Sequence, residues 1–145
     1  MAITTAMCTS FKGELLGGTH DLDTHTLKIA LIKASPSGTY GAATTNYSDV
    51  TGNSDEASGS NYSAGGQNPD GATISTTGTT AIVDFTDEVF TNVTTSADGC
   101  IIYNSSASNK AICVIDFGGT VSATAGDLTI QFPTADASNA VIRIA

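Results

Sequence analysis

Both histidines of the chain, His20 and His25, lie in the segment "HDLDTH", where Asp21 and Asp23 separate them. Imidazole and carboxylate groups are zinc ligands and also exchange protons near neutral pH. A metal-binding histidine pair on a helix is usually spaced by four residues, whereas these two are five apart. On a strand they would lie on opposite faces. Since the nearby sequence offers no third strong ligand, we interpret the segment as a solvated lead-in to the first strand and expect neither a metal site nor a cofactor.

The other motifs that could carry chemistry are weaker. The stretches "NSDEASGSN" and "NPDG" gather oxygen atoms, but neither has the fixed acidic positions of an EF-hand calcium loop. The chain has no G-x-S-x-G nucleophile elbow and no phosphate-binding glycine motif. Cys100 and Cys113 lie inside apolar runs, where a thiol is usually a small buried hydrophobe. Asp87 and Glu88 are adjacent, so they diverge on a strand. We therefore predict no catalytic residues and a protein that is not an enzyme.

The composition favours an all-β fold and limits the classes of partner. Of the 145 residues, 40% are hydrophobic and only 13% are charged, which is about half the usual charged share. Threonine favours strands, while glycine, asparagine and serine favour turns. Fourteen acidic residues against five basic ones give a net charge of −9. This charge disfavours nucleic acid and anionic membranes as partners and makes a basic protein surface the natural one.

The sequence also predicts where the protein folds. It contains no apolar run approaching the roughly 18 residues of a membrane span. Its first residues, "MAITTAMCTS", lack the basic start and apolar core of a secretory signal. Three cysteines, an odd number, fit reduced thiols better than a disulfide framework. We expect synthesis and folding in a cytoplasm.

Two regular elements are predicted before residue 34. "CTSFKGELLGG" is typical of one short helix, capped by Thr9 or Ser10 and ended by Gly17. At two turns it is too short to be stable alone and must dock on the body. "HTLKIALIK" alternates with a period of two, which indicates a strand.

After residue 71 short strands follow one another quickly: "ATIST", "TTAIVDF", "VFTNVTT", "GCIIYN", "KAICVIDF", "LTIQF" and "AVIRIA". This spacing predicts one domain over residues 1–145, an antiparallel β-sandwich, jelly-roll-like or barrel-like, with a short N-terminal helix and a long irregular loop. If Phe117 belongs to its core, the change to alanine costs about 3–5 kcal/mol. The predicted core residues are Leu27, Ile29, Leu31, Val83, Phe85, Ile101, Cys113, Ile115, Phe117, Ile130, Phe132 and Ile142.

One hairpin allows a prediction of register. "GCIIYN" and "KAICVIDF" are joined by "SSASN". If Tyr103 pairs with Lys110, Cys100 lies opposite Cys113 on the same face. In a protein folded in a cytoplasm we expect these two cysteines to remain thiols that pack side by side.

Residues 34–71, which we call the excursion, have few large apolar side chains and cannot form a core of their own. A helical turn is predicted near residues 49–52, and we expect the isolated segment to be mobile. Long loops on a rigid body are where binding usually occurs, so we predict that the excursion docks on a partner. The alternative is a loop that lies flat on one sheet with its tyrosines as anchors. The predicted partner-binding residues are Tyr40, Tyr47, Asp49, Asp55, Glu56, Tyr62 and Asp70.

Three segments resemble a family of small virion proteins of tailed bacteriophages: "SFKGELLGGTHDLDTHTLKIALIK", "YSAGG" and "DFGGTVSATAGDLTIQFPTADASNAVIRIA". The resemblance spans nearly the whole chain and is weakest over residues 53–60. It implies a short N-terminal helix, a first strand that contains "KIAL", and a structural role on the assembled particle, with synthesis in the host cytoplasm.

Within that family the best expectation is a capsid decoration (cement) protein, a homo-oligomer (dimer or trimer) on the capsid surface. It would bind the major capsid protein and bridge neighbouring subunits, so many modest contacts could share the load. The alternative is a tail or fibre-associated virion protein that contacts the host surface.

Overall fold

The computed structural model describes residues 2–145, which contain two antiparallel sheets and two short helices, α1 (Thr9–Leu16) and α2 (Ser48–Gly52). The strands are β1 (Ala6–Met7), β2 (Leu27–Lys33), β3 (Thr73–Thr77), β4 (Thr80–Asp84), β5 (Glu88–Asn104), β6 (Lys110–Ile130) and β7 (Ile142–Ile144). The first sheet has the order β1-β6-β5-β2 and the second the order β3-β4-β7. One hydrophobic core includes residues of both sheets. The all-β antiparallel class with a short N-terminal helix is confirmed.

Helix α1 forms where it is predicted, but its cap differs. Cys8 is the N-cap, in an extended conformation and without a side-chain capping bond, so the prediction of Thr9 or Ser10 is wrong. Gly17 ends the helix as expected. Eight residues cannot form a stable helix alone, so packing against the body stabilises α1. Phe11 is fully buried, and its ring centroid lies 4.9 Å from that of His20.

Strand β2 is an edge of the first sheet, and the excursion covers that edge. The backbone N–H of Ile29 donates to the carbonyl of Gln67 at 2.8 Å. The N–H of Ala57 donates to the carbonyl of Leu31 at 2.9 Å, and the N–H of Lys33 donates to the carbonyl of Asp55 at 2.8 Å. An open edge is a template for unwanted pairing, and here irregular backbone occupies it.

Strands β5 and β6 form one long ribbon of 17 and 21 residues, where the sequence predicted four separate strands. The glycines of β5 and β6 do not interrupt the ribbon, because they lie at bulges. Ala97 pairs with Val121 and Gly99 pairs with Asp116, so four residues of β6 are extruded opposite one of β5. Gly118 supplies a φ of +75° in this bulge, and its N–H donates to the Asp116 carboxylate at 2.9 Å. Such a bulge bends the ribbon and does not end it.

Ten of the twelve predicted core residues are buried. Ile115 and Phe117 are the exceptions: both are half-buried and pack against the core from its margin. The predicted cost of 3–5 kcal/mol for Phe117→Ala assumed full burial, so that prediction is wrong in its premise. A smaller cost follows, because a partly exposed ring loses less apolar burial.

The cysteine register differs from the predicted one by two residues. Asn104, and not Tyr103, pairs with Lys110, and a bulge follows between Ile102 and Tyr103. Cys113 therefore lies opposite Ile102, so its predicted pairing with Cys100 is wrong and the two are diagonal neighbours on one face. All three cysteines of the chain are buried free thiols.

Burial predicts that these thiols are unreactive in the folded protein. It raises the pKa of Cys8 to about 11, and it raises the pKa values of Cys100 and Cys113 well above the ordinary thiol range. Because the thiolate is the reactive form, iodoacetamide at mildly alkaline pH should leave the native chain unmodified while the same treatment in guanidinium alkylates all three cysteines. Intact mass spectrometry reads both. Rapid alkylation of the native chain, or a native mass short of two hydrogen atoms, would contradict this assignment.

Two glycines form a matched pair for testing how tightly the excursion lies on β2. Gly66 has a φ of +71°, and a Cβ atom there would lie 1.8 Å from the Ile29 carbonyl oxygen. Gly78 has a φ of +61°, with nothing within 4 Å of such a Cβ atom. Gly78→Ala should cost about 1–2 kcal/mol from its backbone conformation alone. Gly66→Ala adds a backbone clash and should cost more than about 4 kcal/mol. Equal costs in chemical denaturation would show that the excursion is not held against β2.

Candidate functional site

The excursion is attached to the body through one buried carboxylate. The Asp55 side chain has no solvent exposure. It accepts hydrogen bonds from the Tyr40 hydroxyl at 2.6 Å, from the Ser37 N–H at 3.0 Å and from the Gly38 N–H at 2.7 Å. The Lys33 ammonium group at the end of β2 lies 2.9 Å from the same carboxylate. Donor groups from this loop and from β2 thus surround the carboxylate of Asp55.

The surroundings keep this carboxylate ionised. Burial by itself raises the pKa of Asp55, but the hydrogen bonds from Tyr40, Ser37 and Gly38 and the contact with Lys33 outweigh it, so the pKa lies well below the ordinary value. Burial, together with the bond to Asp55, raises the pKa of Tyr40 to about 12. The phenol therefore stays protonated and donates. A buried anion is tolerable only when several donors meet it, as they do here.

A second carboxylate, Glu56, collects the other two tyrosines of the excursion. Its oxygens accept from the Tyr47 hydroxyl at 2.5 Å, the Tyr62 hydroxyl at 3.0 Å and the Gly65 N–H at 2.6 Å. The Tyr47 ring stacks on Tyr103 of β5 with a centroid distance of 4.5 Å and an interplanar angle of 9°. Burial and the Glu56 charge raise the pKa values of Tyr47 and Tyr62. Both hydroxyls therefore donate hydrogen bonds to Glu56 within the chain.

The structure places the predicted partner-binding residues mainly inside the molecule. Asp49, in the first turn of α2, is half-buried, and its carboxylate accepts from the Thr45 N–H at 2.8 Å and the Asn46 N–H at 3.3 Å. Asp70 alone of the seven is exposed. The arrangement agrees with the alternative in which the tyrosines anchor a loop that lies flat. Of the other six, Tyr40 and Asp55 are buried, and Tyr47, Asp49, Glu56 and Tyr62 are half-buried. A partner-binding role for the seven residues stays a prediction, although few of their side chains are accessible to a partner on a single chain.

The two histidines of the segment "HDLDTH" are brought together at one side chain, Asn104. Asn104 at the end of β5 is fully buried, and its Nδ2 lies 3.0 Å from His20 Nδ1 and 2.9 Å from His25 Nδ1. The Nε2 atom of His20 lies 2.9 Å from the Glu14 carboxylate, which also pairs with Lys110 at 2.7 Å. With the Glu14 carboxylate as the acceptor at Nε2 and the Asn104 amide as the donor at Nδ1, the geometry fits the His20 tautomer that carries its proton on Nε2. The expected solvated lead-in is wrong for His20, which is buried. Within residues 2–145 no three His, Cys, Asp or Glu side chains are grouped so as to hold a metal ion.

Sequence reasoning missed the exposed apolar surface. Leu16, the last residue of α1, is 91% exposed, and Ile144 of β7 is 49% exposed. They border a concavity of about 400 Å³ that we call the α1–β7 face; its residues are Met7, Lys12, Leu15, Leu16, Arg143 and Ile144. A signal was available: at 3.6 residues per turn, Leu16 lies about 140° around the helix from the buried Phe11. Large exposed apolar patches mark interaction surfaces.

A second apolar concavity, of about 300 Å³, lies where β6 bends, and we call it the β6 cleft. Val121, 41% exposed, stands at its margin. The exposed carboxylate of Asp116 is on its rim and makes no ion pair within the described residues. The cleft is thus apolar with an acidic rim, whereas Lys12 and Arg143 make the α1–β7 face apolar with a basic rim. Besides Asp116 and Val121 it is lined by Ile115, Phe117, Leu128, Thr129, Ile130, Gln131, Phe132 and Pro133.

Comparisons with known proteins return no match: no protein-family model matches the sequence, and neither does any curated protein or solved structure. The resemblance to phage virion proteins therefore depends on the three sequence segments alone. Over residues 2–145, none of the helices is both long and apolar enough to cross a membrane.

The Asp55 network predicts a loss of stability in acid. In the unfolded chain an aspartate has a pKa of about 3.9, and the folded value lies below it. The stabilisation is therefore complete above pH of about 4 and is lost as pH falls through the folded pKa. Asp55→Asn removes the charge at nearly constant volume and should cost about 3 kcal/mol near neutral pH. Its stability should also fall less steeply between about pH 4 and pH 2 than that of the wild type, as urea denaturation across this range measures.

Lys33→Met is the matched control for this network. The Lys33 side chain is 37% exposed, so solvent screens its charge and its loss should cost less than about 1 kcal/mol. A Lys33→Met cost equal to that of Asp55→Asn would show that the ion pair, and not the hydrogen bonds from the excursion, is the main interaction. An Asp55→Asn protein as stable as the wild type would contradict the anchoring function of Asp55.

Proposed function

We propose that the protein is a virion structural protein of a tailed bacteriophage, and specifically a capsid decoration (cement) protein that binds the major capsid protein as a homo-oligomer. The observation that carries the proposal is the pre-organised excursion. Thirty-eight residues without a core of their own are held in one conformation by two carboxylates, Asp55 and Glu56. Ordering such a segment costs about 1–2 kcal/mol per residue in backbone entropy.

Residues 58–70 of the excursion, which we call the ridge, have several exposed polar side chains, and hydrogen bonds attach the start of the ridge to the first sheet. The Thr94 N–H donates to the Ser60 carbonyl at 3.0 Å, and the Asn61 side-chain amide donates to the Asn92 carbonyl at 2.8 Å. The Thr95 hydroxyl donates to the Ser58 carbonyl at 3.0 Å. A loop fixed before binding loses little entropy when it binds. Ser58, Ser60, Asn61, Ser63, Asn68 and Asp70 are exposed along this ridge.

A polar, rigid ridge suits a repetitive partner such as a capsid lattice. A single polar interface that retains water molecules usually has modest affinity. An oligomer that carries several copies of the ridge binds several capsid subunits at once, and its overall affinity then exceeds that of any single contact. The net charge of −9 favours a basic target surface. The resemblance of three sequence segments to phage virion proteins supports the same assignment.

Copy number in purified particles tests the location. We expect hundreds of copies per particle by quantitative mass spectrometry, with antibody label spread over the capsid. A dozen or fewer copies, labelled at the tail, would favour the tail or fibre-associated alternative. Particles without the protein would overturn the proposal.

Rebinding to stripped capsids tests the ridge. Ser63→Arg places a bulky cation on an exposed ridge position whose side chain makes no hydrogen bond to any other described residue, so it should weaken binding at least tenfold, about 1.4 kcal/mol. The matched control is Thr76→Arg, an equally exposed position on β3 outside the ridge, which should bind as the wild type does. Equal affinities of the two variants would show that the ridge does not contact the capsid.

A further inference from the structure

We infer that copies of this chain associate through two different surfaces, with the α1–β7 face of one copy seated in the β6 cleft of the next. This inference deepens the proposed function, which includes self-association, and it names the two contact surfaces. It depends on shape and charge observed on the single chain and not on any property of a capsid.

The first argument is the fit between an exposed side chain and a cavity. Leu16 stands 91% exposed at the end of α1, next to Gly17 and Gly18, so no bulky neighbour limits access to it. The β6 cleft has room for such a side chain, with a volume of about 300 Å³ and a mainly apolar lining that includes Phe117 and Leu128. A leucine that moves from water into an apolar cleft gains the usual benefit of apolar burial.

The second argument is charge. Of the five basic side chains, Lys33 and Lys110 are in ion pairs, and Lys28 on β2 has no ion pair within the described residues but lines neither surface. Within residues 2–145 no ion pair includes Lys12 or Arg143, although the charge of Arg143 acts on Asp136 and its guanidinium donates to the Ala137 carbonyl at 2.8 Å. Both border the α1–β7 face.

On the β6 cleft the unpaired charge is acidic. Asp116 lines the cleft and makes no ion pair within the described residues, while Asp98 lies outside the cleft, in an adjoining concavity that Asp116 also lines. A basic-rimmed apolar surface opposite an acidic-rimmed one is complementary, and unlike-charge contacts also exclude wrong registers.

The same charges argue against a two-fold contact of the α1–β7 face with itself. Such a contact is isologous, so Lys12 and Arg143 of one copy would meet the same cations of the other. Contacts between unlike surfaces are heterologous, and they generate rings of three or more copies or open chains. The occupant that fits is therefore the β6 cleft of a second copy.

Complementation between two variants tests the contact. Leu16→Asp destroys the α1–β7 face and leaves the β6 cleft intact, whereas Val121→Asp does the reverse. Both positions are exposed, so both chains should fold, as circular dichroism checks. The wild type should sediment at three or more times the 14.6 kDa chain mass, and each variant should raise the dissociation constant of self-association at least about 30-fold. An equimolar mixture should give a complex of two chains, because one intact pair of surfaces remains.

Charge reversal tests the rim, and an added charge elsewhere is the control. Lys12→Glu and Asp116→Lys should each weaken association, while the chain that carries both changes should regain it. Thr76→Asp adds a carboxylate at an exposed position of β3 outside both surfaces and should leave association unchanged. A wild type that stays monomeric to millimolar concentration, or a mixture of the two single-face variants that stays monomeric, would overturn the inference.

The same variants separate this inference from the proposed function. If the Leu16→Asp and Val121→Asp mixture fails to form a complex while the wild type still covers capsids in many copies, the copy–copy contact is wrong and decoration stands. If the mixture forms the complex but no particle contains the protein, the contact stands and decoration is wrong.

Discussion

A carboxylate without solvent contact, Asp55, is the group around which the excursion is ordered. Taking such an anion out of water is expensive unless donors surround it, and four groups do so here, from Tyr40, Ser37, Gly38 and Lys33. These donors come from residues up to 22 positions away in the sequence, so the hydrogen-bond network joins distant parts of the chain at one carboxylate. With these parts joined, the backbone of residues 55–57 and 67 can pair with the free edge of β2. Loss of the anion would therefore expose a sheet edge as well as a loop.

The strands could be predicted from the sequence, but their continuity could not. Alternation of apolar residues marks β2, β4 and the two ends of the ribbon, and ten of the twelve predicted core positions are buried. Glycine and aspartate near positions 98–99 and 116–119 indicated ends of strands, because those residues usually form turns. In the structure they form a bulge within a continuous ribbon. Whether such a residue ends a strand or bends it depends on what lies across the ladder, which the sequence of one strand does not contain. The register of the two cysteines is set elsewhere: Asn104 pairs with Lys110 and a separate bulge lies between Ile102 and Tyr103, and together these shift the ladder by two residues and separate Cys100 from Cys113.

The excursion shows why the candidate site was harder to predict than the fold. Tyrosine and acidic residues in a long polar loop are typical of binding surfaces, but the same side chains are also good anchors, since a phenol can donate to a carboxylate. The sequence cannot distinguish the two uses, because the distinction depends on distances such as the 2.6 Å between Tyr40 and Asp55. Histidine behaves similarly. His20 and His25 are divergent on any regular element, and a curled loop around Asn104, 79 residues or more away, brings them to one amide.

The two proposed contacts have opposite physical character, and each follows from the way its segment is stabilised. The excursion is ordered by internal hydrogen bonds, so what it leaves exposed is polar and already fixed, which suits repeated modest contacts with a lattice. Helix α1 is ordered by the burial of one side chain, Phe11, on one side of an eight-residue helix. A helix that short cannot turn Leu16 toward the same core, since the two residues point about 140° apart. The exposure of Leu16 is thus a geometric consequence of the fold. Lys12, which forms no ion pair within the described residues, lies on the same face and favours an acidic surface as the one that covers it.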